Sequence, residues 1–228
     1  MARSPRAVGQ LGEGTEQDDL RRQVRIVGIL SATERAGTSP LPAADLHLIA
    51  YFADALAPVW GLEILDAQLL KRQDGPMSPA LQRDVDLLVG RGLVDASSIS
   101  HARDAAGEWR LVANYALNDR YSPAVLDRIG FFPEQVDELA FLREVVFAIS
   151  SLGLGGMPLA SHSDAAYGDE VVANGRMVDI AEYAGRENVT ARVALRFGEL
   201  LRPDVELAPA EMIHLYIREL YGRLRAAA

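Results

Sequence analysis

The chain contains no cysteine, and that absence removes several kinds of chemistry together. Disulfides, thiolate-bound zinc and a cysteine nucleophile are all excluded. Lysine is almost as scarce: Lys71 is the only one among 23 Lys/Arg side chains. A Walker-type phosphate loop needs a lysine after its glycines and finds none. Positive charge is carried by arginine, whose planar fork suits bidentate contact with carboxylate or phosphate. No stretch approaches the roughly 20 apolar residues of a membrane helix. The N-terminus has arginines but no apolar core segment of a secretory signal, so a cytoplasmic location is expected. An excess of positive charge is missing too. The net charge is −9, which opposes non-specific DNA binding by the whole surface and favours protein partners.

What remains is ordinary globular material. Apolar residues make up 49% and charged residues 24% of 228 residues, enough for one or two domains with a true core. Residues 1–20 read as a flexible tail, with few large apolar side chains. A helix is expected over 22–36, ending at Gly37. Residues 43–57 form a strong helix with Leu46, Ile49, Ala50, Ala53 and Leu56 on one stripe, stopped by Pro58. Residues 62–71 read as a shorter helix. Ser78 is placed to cap a third, with Pro79 at its first position and Gly92 as its stop. Leu93 onward reads as strand, turn near Asp104–Gly107, strand.

Helix, short helix, helix and hairpin define a winged helix over about 43–117, within a domain of 21–118. A helical region, 119–228, completes a mainly α architecture with a small β-hairpin. Helices are expected there at 123–130, 133–151, 158–166, 177–183, 189–201 and from Pro209. The 133–151 helix, apolar over a wide arc, is expected to be central.

No residue pattern reads as a catalytic centre, a metal site or a cofactor site. His47, His101, His162 and His214 lie in different elements without ligand spacing. His47 and His214 read as hydrogen-bonded structural imidazoles. Ser161, His162, Ser163 and Asp164 hold the residue types of a hydrolase triad, but neighbours in sequence do not make its geometry. Asp164, Asp179 and Glu182 are the acids that could converge, a weak case on an acidic chain. Residues 153–156, Gly-Leu-Gly-Gly, do not make a dinucleotide fingerprint. Asn188-Val189-Thr190 matches a glycosylation sequon and reads instead as a capped helix start.

The third helix of a winged helix offers its outward residues to the major groove. Gln82, Arg83 and Asp86 stand there, with Asp84 nearby. Arg83 and Gln82 have the chemistry to read base edges, while Asp84 and Asp86 would repel phosphates. Arg83, Arg91, Arg103 and Arg110 are the candidate DNA contacts. Residues 43–117 carry six Lys/Arg against ten Asp/Glu, and phosphate neutralisation supplies most DNA affinity. Protein docking through this scaffold is therefore favoured over direct DNA contact. On the last helix, Tyr216, Ile217, Leu220 and Tyr221 are candidate partner contacts, with packing inside the chain as the favoured alternative.

Three strings carry a resemblance. They are ERAGTSPLPAADLHLIAYFADALAPVWGLEIL at 34–65, LLKRQDGPMSPALQRDVDLLVGRGLV at 69–94, and a third set within 163–224. The third set comprises SDAAYGDEVVANGRMVDIAEY, NVTARVALRF and LAPAEMIHLYIRELYGRL. Together they resemble the middle component of bacterial ABC-three-component antiphage systems, which are related to Lamassu. The resemblance implies a non-catalytic adaptor subunit. Its implied partners are an SMC/Rad50-like ATPase and an effector, often a nuclease, with DNA reached through the complex. It carries no catalytic residue onto this chain. A winged-helix transcriptional regulator is the alternative.

Overall fold

A computed structural model describes residues 16–103, 107, 109–153, 161–164, 166–168, 173–183, 186–200 and 206–227. The elements in order are α1 (Glu16–Arg35), β1 (Leu41–Pro42), α2 (Ala43–Trp60), β2 (Gln68–Leu70) and α3 (Pro79–Gly90). There follow β3 (Val94–Arg103), β4 (Trp109–Leu117), α4 (Ser122–Ile129), α5 (Pro133–Ser150) and a 3-10 turn (Ser161–Ser163). The last are β5 (Met177–Asp179), β6 (Glu182–Tyr183), β7 (Arg186–Glu187), α6 (Val189–Leu200) and α7 (Pro209–Ala227). Helices dominate, with small antiparallel sheets between them.

α1 begins earlier than the sequence pattern suggests. Glu16, Asp18 and Asp19 occupy its first turn, where carboxylates suit the positive end of the helix dipole. Residues 16–20, expected in the tail, therefore belong to a helix, and residues 1–15 lie outside the described residues. α2 runs past Pro58 to Trp60, and Gly61 closes it in the left-handed conformation at φ 84°. α3 has the predicted ends. Ser78 accepts a hydrogen bond from the Leu81 amide at 3.1 Å, and Gly92 takes φ 74° just past the helix.

The expected helix over 62–71 does not form. The Leu65 and Asp66 amides donate to Asp54 Oδ1 at 3.0 and 3.1 Å. Leu69 then enters β2 and pairs with Val178 of β5. The expected helix over 177–183 is corrected to β5, formed by the same pairing, and β6, which pairs with β7. Residues 158–160 of the expected 158–166 helix lie outside the described residues, and 161–163 make a 3-10 turn.

β3 and β4 form the hairpin, and β1 adds to β4, giving the order β1-β4-β3. The register shifts between Ser97 and Ser100, and Ser98 takes φ 51°; the extra residue locally increases strand twist.

One continuous core runs through both halves of the chain. α2, buried almost all round from Leu46 to Ala57, is its centre, and α5 contributes Phe141, Leu142, Val145, Val146 and Ile149. α1 lies along α5, and α2 meets α5, α6 and α7. Gly28 lets α1 and α5 approach closely: a Cβ there would stand 2.7 Å from Leu139 and 2.8 Å from Leu142. Arg25, 2% exposed, pairs with Asp54 of α2 and with Glu138 of α5 at 2.9 Å. Three helices thus share one buried charge cluster, which is costly unless every member is paired.

Candidate functional site

The face formed by α3 and the β3–β4 hairpin is built outward from His47. His47 Nδ1 accepts from the Ser78 amide at 3.2 Å, and Nε2 stands 3.1 Å from Gln82 Oε1. An accepting Nδ1 requires a neutral ring protonated at Nε2. Burial also lowers the His47 pKa. Gln82 Nε2 in turn donates to Asp86 at 2.9 Å and to the Tyr115 hydroxyl at 3.1 Å. The start of α3 is thereby fastened to α2 and to β4. His47 is the structural imidazole expected of it.

Asp84 corrects the charge picture of α3. It is 2% exposed and faces inward. Arg22 Nη1 donates to Asp84 Oδ2 at 2.6 Å, and Gln23 donates to Oδ1 at 3.3 Å. Arg22 also binds Asp66 at 2.8 Å and Asp19 at 2.9 Å. The repulsive carboxylate expected on the outer face is neutralised inside. Asp86 remains outside, engaged by Gln82.

The four candidate arginines do not form one patch. Arg83 is exposed on α3 and reaches Asp19 only at 3.5 Å. Arg103 stacks over Trp109 at 4.9 Å near the end of the hairpin. Arg110 borders a cleft of about 430 Å³ between the 72–77 loop, α3 and β4, with Arg72, Asp74, Asp86 and Trp109. Arg91 borders a different groove, between α1, α4 and the start of α5.

The hairpin carries a surface that the sequence reading missed. Trp109 is 64% exposed and Ile99 61% exposed. Ala113, Tyr115 and Leu117 alternate inward toward the core, so the signal was available. A strand of nine residues with its buried positions at one end must project its other end past the core.

Asp164 is the acceptor at the centre of a buried hydrogen-bond cluster. It is 2% exposed, and its oxygens accept from the Tyr51 and Tyr216 hydroxyls and from Thr190 Oγ1 at 2.9 and 3.0 Å. The Ala166 and Tyr167 amides donate at 3.1 Å each. Burial, and next the Asp164 charge, push the Tyr51 hydroxyl well above its ordinary range. Asp179 caps its own turn at the Ala181 amide. The side chains of His162 and Glu182 lie outside the described residues. His101 is exposed on β3, and His214 stands 3.2 Å from Glu144. Among the described residues, no group of three or more His, Asp or Glu is placed to hold a metal ion.

Of the four candidate partner contacts on the last helix, three take the favoured alternative: Tyr216, Ile217 and Leu220 are at most 2% exposed and pack within this chain; Tyr221 is half-buried. An apolar stripe on a terminal helix found its partner in α5 and α6.

Among the described residues, no helix is long and apolar enough to cross a membrane. The chain matches no protein-family model and no curated protein.

Proposed function

We propose that the chain is a non-catalytic adaptor subunit built on a winged helix, linking an SMC/Rad50-like ATPase to an effector in an antiphage complex. The exposed hairpin carries this reading. Ile99, Trp109 and the stacked Arg103 present an apolar and cationic surface of the kind that dominates protein interfaces. The scaffold reading is supported by the order α1-β1-α2-α3-β3-β4 and the sheet β1-β4-β3. In this reading α1, α2 and α3 take the three helical positions, and 62–71 is the connection before α3. The resemblance of 34–65, 69–94 and 163–224 to three-component middle subunits supplies the partners.

The test is co-expression with the adjacent genes followed by size-exclusion chromatography, comparing the natural chain with Trp109→Ala. The adaptor reading expects a co-eluting ATPase and its loss in the variant. A chain that always elutes alone sinks it.

One observation supports the second reading, a DNA-binding regulator. With Asp84 turned inward onto Arg22, the outer face of α3 opposes phosphate less than the sequence suggests. A gel shift with duplex DNA at low salt, where charge is least screened, decides it. Binding lost in Arg83→Glu would support a regulator, and no binding would remove it.

A further inference from the structure

We infer that the groove between α1, the end of α3, α4 and the start of α5 is a docking site for an acidic amphipathic helix of a partner protein. The inference rests on the adaptor reading in one respect: a bridging subunit needs a second partner surface, separate from the hairpin.

The groove has a volume of about 740 Å³. Its floor is apolar and comes from four elements, with Val24 and Val27 of α1, Leu88 of α3, Val125 and Ile129 of α4, and Phe132. Two of its large side chains stand open, Leu20 at 59% and Phe132 at 59% exposure, and Phe131 beside it is 77% exposed. Such a concentration of open aromatic and aliphatic surface marks an interaction site.

The rim identifies the occupant by charge. Arg21, Arg91 and Arg128 line it against a single acid, Glu134. Among the described residues, Arg91 meets only the neutral Gln23, at 3.3 Å. Arg21 and Arg128 form no ion pair with any described residue. On a chain of net charge −9, three arginines left without carboxylate partners around an apolar floor call for carboxylates from outside. The N-terminus of α5, whose cap residue Phe132 offers no side-chain hydrogen bond, adds a further positive end at the same groove. An amphipathic helix satisfies both parts. Apolar residues at i, i+3, i+4 and i+7 fill the floor, and flanking acids meet the rim.

Other occupants fit less well. A nucleic acid would set phosphates over valine and isoleucine. The segment 1–15 carries Arg3 and Arg6 against one acid, Glu13, so it would add positive charge to a positive rim.

The test is selection from a display library of helix-forming peptides on the full chain. The counter-targets are Arg21→Glu/Arg128→Glu and Phe132→Ser, each checked for native circular dichroism. The winners are expected to be amphipathic and rich in Glu or Asp. They should bind the double charge variant about tenfold more weakly, the effect of reversing two exposed attractions. Phe132→Ser, which leaves the charges in place, should weaken them independently. Because the chain has no cysteine, a dye at Ala124→Cys on the groove wall reports entry from a single site. The dye should respond to the winning peptides and not to versions with Lys in place of Glu.

Four outcomes overturn the inference. They are no enrichment, winners without acidic bias, binding to either counter-target as tight as to the natural chain, or a dye that responds to duplex DNA or to self-association of the chain. None of them bears on whether the chain co-elutes with an ATPase, so the adaptor reading stands or falls separately.

Discussion

Arg22 of α1 holds Asp84 of α3 at 2.6 Å, on the inner side of the helix that would face DNA or a partner. The bond decides which charges α3 shows to solvent. Replacing Arg22 with Met should leave Asp84 buried without its main partner. We expect a loss of about 3–5 kcal/mol, the cost of stranding one member of a buried pair. Arg22→Met/Asp84→Leu should recover a large part of it. Urea unfolding of the two variants measures both; equal losses would contradict this account.

Asp45 lies in the first turn of α2, and burial pushes its carboxyl up to about 6. A raised carboxyl pKa means that the folded chain holds the proton more tightly than the unfolded one. Its contribution to stability is intact below about pH 4 and is lost as pH rises through about 6. Asp45→Asn should therefore stabilise the fold by roughly 1–2 kcal/mol at pH 7.5, after a small loss of helix-dipole attraction. The gain should vanish near pH 4. Thermal unfolding across that range gives the curve, and a pH-independent difference would argue against it.

Gly28 sits inside α1, where alanine would ordinarily gain about 1 kcal/mol of helix propensity. Here its Cβ would meet Leu139 at 2.7 Å and Leu142 at 2.8 Å. Leu142 is fully buried and cannot swing clear. Gly28→Ala should cost a net 1–2 kcal/mol, of the order found for overpacking. A raised melting temperature would show that α5 yields instead.

Asp164 collects donors from α2, α6, α7 and its own turn. Asp164→Ala removes the carboxylate that accepts from the buried Tyr51, Tyr216 and Thr190 hydroxyls. We expect a loss of about 3–5 kcal/mol. Tyr51→Phe, which removes one donor only, should cost about 1–2 kcal/mol. A mild effect of Asp164→Ala in calorimetry would mean that the site relaxes or admits water.

The long helices were legible because their signals are local. Ser78, Pro79 and Gly92 mark the ends of α3, and the stripe from Leu46 to Leu56 marks α2. The segments 62–71 and 177–183 were not legible as strands. Each looks helical alone, and each is recruited by the other: Leu69 pairs with Val178, more than a hundred residues away. Local propensity yields to such pairing. Asp84 was misread for a different reason. Position 84 is three after Leu81 and four before Leu88, so it lies on the buried stripe. Its charge pointed outward, and only the distant Arg22 shows why it turns in. At the candidate sites, the hairpin arginines were legible, whereas the rim of Arg21, Arg91 and Arg128 assembles from three elements that no sequence window contains.

One helix, α1, addresses several neighbours in turn: Arg22 toward α3, Arg25 toward α2 and α5, Gly28 against α5, and Leu20 toward the open groove. The chain therefore cannot be halved. A cut after Leu117 would leave Arg25 without Glu138 and bare the flank of α1 that α5 covers. The segment up to Leu117 and the helical half share one core, and the two are expected to unfold together.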